Sequence, residues 1–319
     1  MGKSHKPEIA VIICSYNRAR HIVGAMDSLY SQTVSRERYE VIVVDNNSTD
    51  DTGDVCDKYI REHPDYDIRY FTENRQGSSH ARNKGARESS APLLAFMDDD
   101  AVAETDFIER MLVLFEELPQ AAGAGGRIIP KYIPEEPVWM SYFVSSLVGN
   151  FDYGPERCEF KNGKYPLESN MALRRRFFEA LEGFSADQPG VVGGIRIGGE
   201  GKDLFNRLRE LGGRIYYDPG IRVHHIVEVS KLSRKYLAGV AAGVGRGERS
   251  RIRAQGSIGL LFKNLEYIYK LGGSVVLAVA YALQGNPRKS MPVIRFRWNA
   301  LLGLNDGSYT ARQPAGGRS

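Results

Sequence analysis

Four short apolar runs in the first hundred residues, each ending in polar side chains, constrain the fold of this chain more than any other feature. The runs Glu8 to Cys14, Glu40 to Asp45, Ile68 to Thr72 and Leu93 to Met97 have the length and composition of buried parallel strands. Between them lie stretches with helical spacing, near Ala19 to Tyr30, Asp50 to Glu62 and Ser78 to Ser89. Strands that alternate with helices predict an α/β sheet with crossover helices. Right-handed crossovers bring the carboxyl ends of such strands to one side. The clusters Ser15-Tyr-Asn-Arg18, Asp45-Asn-Asn-Ser48, Glu73-Asn-Arg75 and Asp98-Asp-Asp100 therefore meet at the edge where open α/β sheets bind ligands.

The last of these clusters is the most informative chemically. Three adjacent carboxylates repel one another unless solvent or a cation intervenes. A solvated turn that also caps a helix starting near Glu104 would explain them. The sharper reading is a divalent ion, Mg²⁺ or Mn²⁺, held by hard oxygen ligands and shared with the phosphates of a substrate.

Composition excludes several classes. With 42% hydrophobic and 26% charged residues the 319-residue chain reads as globular. Its 43 basic and 39 acidic residues leave a net charge of +4, too mild for a nucleic-acid binder, so no nucleic-acid partner is expected. Acids gather in the first 120 residues, and the basic groups Lys231, Arg234, Lys235, Arg246, Arg249, Arg251 and Arg253 lie in the last 100. Cys14, Cys56 and Cys158 are too widely spaced for a disulfide framework or a zinc pattern. The start, Met1-Gly-Lys-Ser-His-Lys-Pro, lacks an apolar signal core, so a cytoplasmic protein is expected.

From Arg127 to Tyr165 the chain has several prolines, the aromatics Trp139, Tyr142 and Phe143, and no clean period. That predicts a long binding loop or lid. Regularity returns at Glu168-Ser-Asn-Met-Ala-Leu-Arg174 and a helix from Arg175 to Glu182. A glycine-rich turn, Val192-Gly-Gly194 through Gly198-Gly199, then leads into a helix from Glu200 to Leu211. Beyond Ser230 the sequence is helical. The weakly polar run Gly272 to Leu283, bracketed by Lys263, Lys270, Arg288 and Lys289, falls short of the ~20 residues of a spanning helix. Two readings stay open for it: a surface-lying or re-entrant membrane segment, or a helix packed on the core or in a homo-oligomer interface.

Taken together, Ile12-Ile-Cys-Ser-Tyr-Asn-Arg18, Val41-Ile-Val-Val-Asp-Asn-Asn-Ser48, Gly77 through Ala81-Arg-Asn-Lys-Gly85, and Phe96-Met-Asp-Asp-Asp100 resemble glycosyltransferase family 2. The resemblance runs from about residue 8 to 230. It implies a GT-A type fold, with a Rossmann-like, mostly parallel sheet between helices, extended here by a helical C-terminal region. It also implies inverting, Mg²⁺- or Mn²⁺-dependent transfer of a sugar from a nucleoside diphosphate donor, a UDP-sugar foremost, to a hydroxyl of a glycan or lipid-linked acceptor.

Residue by residue, the resemblance implies that Ser15, Asn17 and Arg18 contact the donor nucleotide, that Asp45 accepts hydrogen bonds from base or ribose, and that Arg82 and Asn83 lie near the diphosphate. An Asx turn at Asp45 and a surface ion pair at Arg18 are the plainer alternatives. Asp98 falls on the ribose or a metal-bound water, Asp99 on the variable position beside it, and Asp100 on the metal. The base falls in Gly199-Glu-Gly-Lys-Asp203. Because Gly201 stands where many relatives have aspartate, Glu200 is the expected base and Asp203 its substitute. First-turn acids favoured by the helix dipole are the bland reading of both. His224 and His225 would point to opposite faces of a strand, and the spacing to Ser230-Lys-Leu-Ser233 favours His225 as a metal ligand.

The implied organisation is a nucleotide-sugar half at residues 1–125, an acceptor and base half of the same domain at 126–229, and a basic helical extension at 230–319. Two other readings compete: a nucleotidyltransferase that makes nucleotide sugars, and a binding scaffold without a base. The first would carry a glycine-rich loop after its first strand, and Cys14-Ser-Tyr-Asn-Arg18 has no glycine.

Overall fold

A computed structural model describes residues 6–192, 195–253 and 256–307. The N-terminal residues 1–5 and the glycines of the expected turn at 193–194 lie outside the described residues. The first strand, β1 (Ile9–Ser15), pairs in parallel with β2 (Tyr39–Asp45) and β4 (Leu93–Asp98), and β2 with β3 (Ile68–Thr72). The crossovers are helices α1 (Ile22–Tyr30), α2 (Thr52–Glu62) and α3 (Ser78–Glu88). These are the strands and helices expected from the apolar runs.

Each strand has two buried faces, so alternate residues feed two cores. Ile9, Val11 and Ile13 pack with α1, α2 and α4 (Phe107–Glu117), whereas Ala10 and Ile12 pack with α3, α6 (Arg175–Ala180) and α7 (Glu200–Glu210). This continuous burial explains why the strands read as solid apolar runs rather than as alternating ones.

The expected loop beyond Arg127 is shorter than the sequence suggests. A 13-residue strand, β6 (Ala121–Ile133), runs through its first part, past Pro130. Its Ala-Ala-Gly-Ala-Gly-Gly start is packed too closely for larger side chains: a Cβ at Gly126 would collide with the Ile221 carbonyl, and one at Gly125 would lie 2.5 Å from the Asn170 carbonyl oxygen. Short elements follow, α5 (Tyr142–Ser145) and β7 (Cys158–Glu159). Strand β8 (Met171–Arg174) is inserted antiparallel between β4 and β6.

A small hairpin, β9 (Gly190–Val192) and β10 (Ile195–Ile197), precedes α7. The 15-residue β11 (Arg214–Glu228) pairs in parallel with β6 and antiparallel with β7 and with β5 (Ala101–Ala103). The spatial order is β3-β2-β1-β4-β8-β6-β11-β5, with β7 on β11. The result is a mostly parallel sheet between two helical layers.

The C-terminal region forms α8 (Arg234–Arg251), α9 (Gly256–Leu283) and α10 (Ser290–Asn305). Glycines seat α8 on the body: a side chain at Gly247 would collide with the Gly198 carbonyl, and one at Gly245 with the Ala300 carbonyl of α10. Packing on the core therefore describes α8 and α10, with Ala241, Val293 and Phe296 buried against Val144, Leu147 and Val227.

Helix α9 differs. Its Tyr267, Ser274 and Ala278 are buried. Ile258, Phe262, Leu265, Tyr269, Val276, Val279 and Leu283 are exposed, up to 84% at Leu283. No described helix is long and apolar enough to cross a membrane.

Candidate active site

At the carboxyl ends of β1 and β4 lies a cleft of about 470 Å³. Ser15, Asn17 and Arg18 enter it from β1 and the turn that follows, Asp98, Asp99 and Asp100 from β4, and Arg82 from α3. Glu200, the first residue of α7, enters from the far side together with Glu168 and Arg196. His225, Lys231 and Tyr236 complete it.

The antiparallel pairing of β5 with β11 brings His225 to the acidic trio: the Ile226 N–H donates to the Asp100 carbonyl at 2.8 Å. His225 Nε2 then stands 2.9 Å from Asp100 Oδ1, while its Nδ1 lies 2.9 Å from the Val148 carbonyl oxygen. A carbonyl can only accept, so Nδ1 carries a proton and the Nε2 edge of the ring faces a carboxylate oxygen. That juxtaposition calls for a cation or a second proton between them. Asp98, Asp100 and His225 offer ligand atoms that all lie within 4.8 Å of one another. Two carboxylates and one imidazole form a donor set suited to Mn²⁺ or Mg²⁺.

Lys231 Nζ donates to the other Asp100 oxygen at 2.6 Å and to the Ile226 carbonyl at 2.8 Å. One Asp100 oxygen is thus held by lysine, and the other faces His225. Burial would raise the Asp100 carboxyl, but His225 and Lys231 more than offset it and hold the group below the usual carboxylate range. Asp99 is displaced the opposite way, upward, by burial and by the Asp100 charge, with Arg18 opposing from 3.4 Å.

Across the cleft, the Arg82 guanidinium spans the two acidic clusters, with Nη2 3.6 Å from Asp98 and Nη1 3.5 Å from Glu200. Ser78 Oγ donates to the same Glu200 oxygen at 3.0 Å. Gly199, at φ 107°, holds the left-handed turn that starts α7. The glycine at 201 has a local cause: Glu168 accepts the Gly201 N–H at 2.7 Å, and a Cβ there would collide with its carboxylate. Glu168 thus brings a carboxylate to the position the sequence leaves without one. Burial first, and the Glu200 charge second, push its carboxyl up to about 7.

The family model of Glycosyl transferase family 2 matches residues 10–182, more than half of the chain. The chain belongs to that family.

Several relatives of this glycosyltransferase are characterised by name. A glucosyl-dolichyl phosphate glucuronosyltransferase of Haloferax volcanii is 28% identical over 228 residues, covering 68% of this chain and 69% of that protein. A validoxylamine A glucosyltransferase of Streptomyces hygroscopicus subsp. jinggangensis is 39% identical over 112 residues, 34% of this chain and 26% of the relative. Mannosyltransferase PcManGT of Pyrobaculum calidifontis, solved with GDP-Man and Mn²⁺, superposes with a TM-score of 0.63 at 16% identity, over 95% of this chain and 88% of that one. GalNAc-T7, solved with UDP, GalNAc and Mn²⁺, gives 0.55 at 15% identity, over 78% and 52% of the two chains. At these identities the likeness establishes the GT-A fold. Membership of the family sets the nucleotidyltransferase reading aside, and the chain is a transferase.

The glycosyltransferase cleft gathers most of the residues singled out in its sequence but not all. Asp203 is elsewhere: it pairs with Arg207 at 2.8 Å and lines a separate pocket with Leu181 and Phe184, outside the cleft that holds Glu200. Asn83 faces that same second pocket, where its amide exchanges hydrogen bonds of 2.8 and 2.9 Å with the Phe184 backbone. Consecutive helical residues point about 100° apart, so Arg82 and Asn83 do not share a face. Asp45 is also outside the main cleft. Its oxygens accept the Ser48 N–H at 2.8 Å and the Tyr70 hydroxyl at 2.7 Å, beside a small polar cavity at the end of β2. His224 pairs with Glu104 at 2.7 Å on the other face of β11.

Arg196, Lys231 and Tyr236 joined the site without being expected there, as did the Glu168 carboxylate. Each is brought in from beyond residue 165 by tertiary packing, and no local motif marks it. Arg18 does form ion pairs, but with Asp99 and Asp100 inside the cleft. Trp139 and Phe143 pack on the cluster between α5 and α10, whereas Tyr142 is exposed.

Proposed function

We propose that this family member is a metal-dependent, inverting glycosyltransferase that moves a sugar from a nucleoside diphosphate donor to an acceptor presented on a lipid. The observation that carries the reading is one cleft holding the Asp98, Asp100 and His225 donor set and, beyond Arg82, the carboxylate of Glu200. A divalent ion on these ligands would supply Lewis acidity for the departing diphosphate. The protein's own part is to place charge. Arg18 and Arg82 present guanidinium forks suited to phosphate oxygens, and Ser15 and Asn17 line the β1 end of the cleft beside them. Glu200, held by Ser78 and Arg82, takes the proton of the acceptor hydroxyl as it attacks from the face opposite the leaving group. Glu168 keeps α7 in position through the Gly201 N–H. UDP-sugars are the first donors to test. The purified chain with Mn²⁺, a UDP-sugar or GDP-sugar and a lipid-linked acceptor should release nucleoside diphosphate. Absence of both donor binding and release across these donors would end the proposal.

The lipid part rests on α9. At ~1.5 Å per residue its 28 residues span about 42 Å, and the exposed apolar side chains recur along one broad face. Its acid, Glu266, is neutralised by Lys263 and Lys270, and Arg288 and Lys289 stand at the turn into α10. An apolar face with cationic flanks is suited to lie in the interface of an anionic membrane. The protein should float with phosphatidylcholine vesicles containing phosphatidylglycerol, and a Phe262→Ser/Tyr269→Ser/Val276→Ser variant should not. Recovery in the soluble fraction with and without anionic lipid would instead favour pairing of this face between two copies.

A further inference from the structure

A second cavity, a groove of about 550 Å³, lies between α5 and the starts of α8 and α10. Its walls are apolar: Trp139, Val144, Leu147, Leu237, Met291 and Phe296. Three arginines, Arg234, Arg288 and Arg295, share that lining, and no acidic residue does. Among the described residues none of the three is paired with a carboxylate, although Arg246 and Arg251 nearby have Asp306 and Glu248. All three are exposed at the groove, and guanidinium groups without a carboxylate partner beside apolar walls offer forked N–H donors to the oxygens of an anion. Helices α8 and α10 both begin here, at Arg234 and Ser290, and their positive ends add to the same field.

The groove is also joined to the catalytic cleft by alternating residues. Lys231 reaches Asp100 and Leu232 lines the groove; Arg234 lines the groove and Tyr236 the cleft. On the other wall, Leu147 faces the groove while the Val148 carbonyl holds His225. One thin partition separates the two.

We infer that this groove binds the phosphate and the adjoining hydrocarbon of a long-chain alcohol phosphate that bears the acceptor sugar, whose hydroxyl is the group presented to Glu200 in the transfer proposed above. The phosphate lies among Arg234, Arg288 and Arg295, and the chain lies along Trp139, Leu147 and Phe296. The volume is that of pockets that enclose a ligand, ~300–1,000 Å³. The inference deepens the proposed function by naming the acceptor class, and it rests on that reading for the acceptor role alone.

The test uses the full chain carrying Trp298→Phe, so that Trp139 is the reporting indole, titrated with farnesyl phosphate, farnesol or inorganic phosphate. Farnesyl phosphate should shift the Trp139 emission, farnesol should bind about tenfold or more weakly, and inorganic phosphate at the same concentration should leave the emission unchanged. Arg288→Gln/Arg295→Gln should weaken farnesyl phosphate about tenfold or more, while calorimetric binding of UDP with Mn²⁺ stays as in the parent and reports an intact fold. Equal binding of farnesol, an unaffected double variant, or an equal response to inorganic phosphate would each overturn the inference. Loss of nucleotide binding by the parent would sink the proposed function instead, and would leave the groove titration standing.

Discussion

Replacing Glu200 by glutamine is expected to cut turnover by ~10²–10⁴-fold, the range for losing a general base, with donor affinity within about twofold of the parent. Gln keeps the shape and an acceptor for the Ser78 hydroxyl, so the start of α7 should hold. The variant cannot take up the acceptor proton. Initial rates of diphosphate release and donor titrations on the same preparation separate the two effects. Asp203→Asn is the contrast: its carboxylate serves Arg207 in a different pocket, and activity should be unchanged within about twofold. Full turnover by Glu200→Gln would shift the base to Glu168, whose carboxylate is the next in the cleft.

The second large effect is expected at the metal. Asp100→Asn should weaken Mn²⁺-dependent donor binding by about 100-fold or more, since even partners of metal ligands cost ~10–100-fold. An unchanged manganese requirement would discredit Asp100 as a ligand. This substitution also strips the buried Lys231 of its counter-charge, because both side chains are at most 7% exposed. Breaking a buried pair from one side costs ~3–5 kcal/mol, whereas removing both partners costs less. Asp100→Asn/Lys231→Met should therefore recover much of the denaturation midpoint without recovering manganese affinity. Calorimetry and urea unfolding on the single and double variants read the two consequences apart.

Periodicity and strand ends made the α/β half legible, because its buried strands and crossover helices are specified by local runs of residues. The acidic trio was legible for the same reason: it ends a strand whose burial the sequence states. What stayed hidden depends on tertiary direction. Glu200 and Asp203 are both first-turn acids, yet one turns into the cleft and the other around α7 to meet Arg207 one turn later. Arg82 and Asn83 divide in the same way on α3. The strand β6 was hidden by its glycines and by Pro130, which weaken any strand pattern. Those glycines answer to the Asn170 and Ile221 carbonyls, contacts made far away in the chain. Glu168 filled the place left by Gly201, an exchange that only a three-dimensional view of α7 exposes.

The end of β11 carries one further implication. His225 sits opposite Ala101 and Pro130 in register, and only six residues later Lys231 clasps the same aspartate. Adding or deleting a single residue in this short span would turn the strand residues beyond it to the opposite face and pull the ammonium off its partner. The stretch from His225 to Leu232 should thus tolerate changes of length poorly, because both of its ends answer to one aspartate.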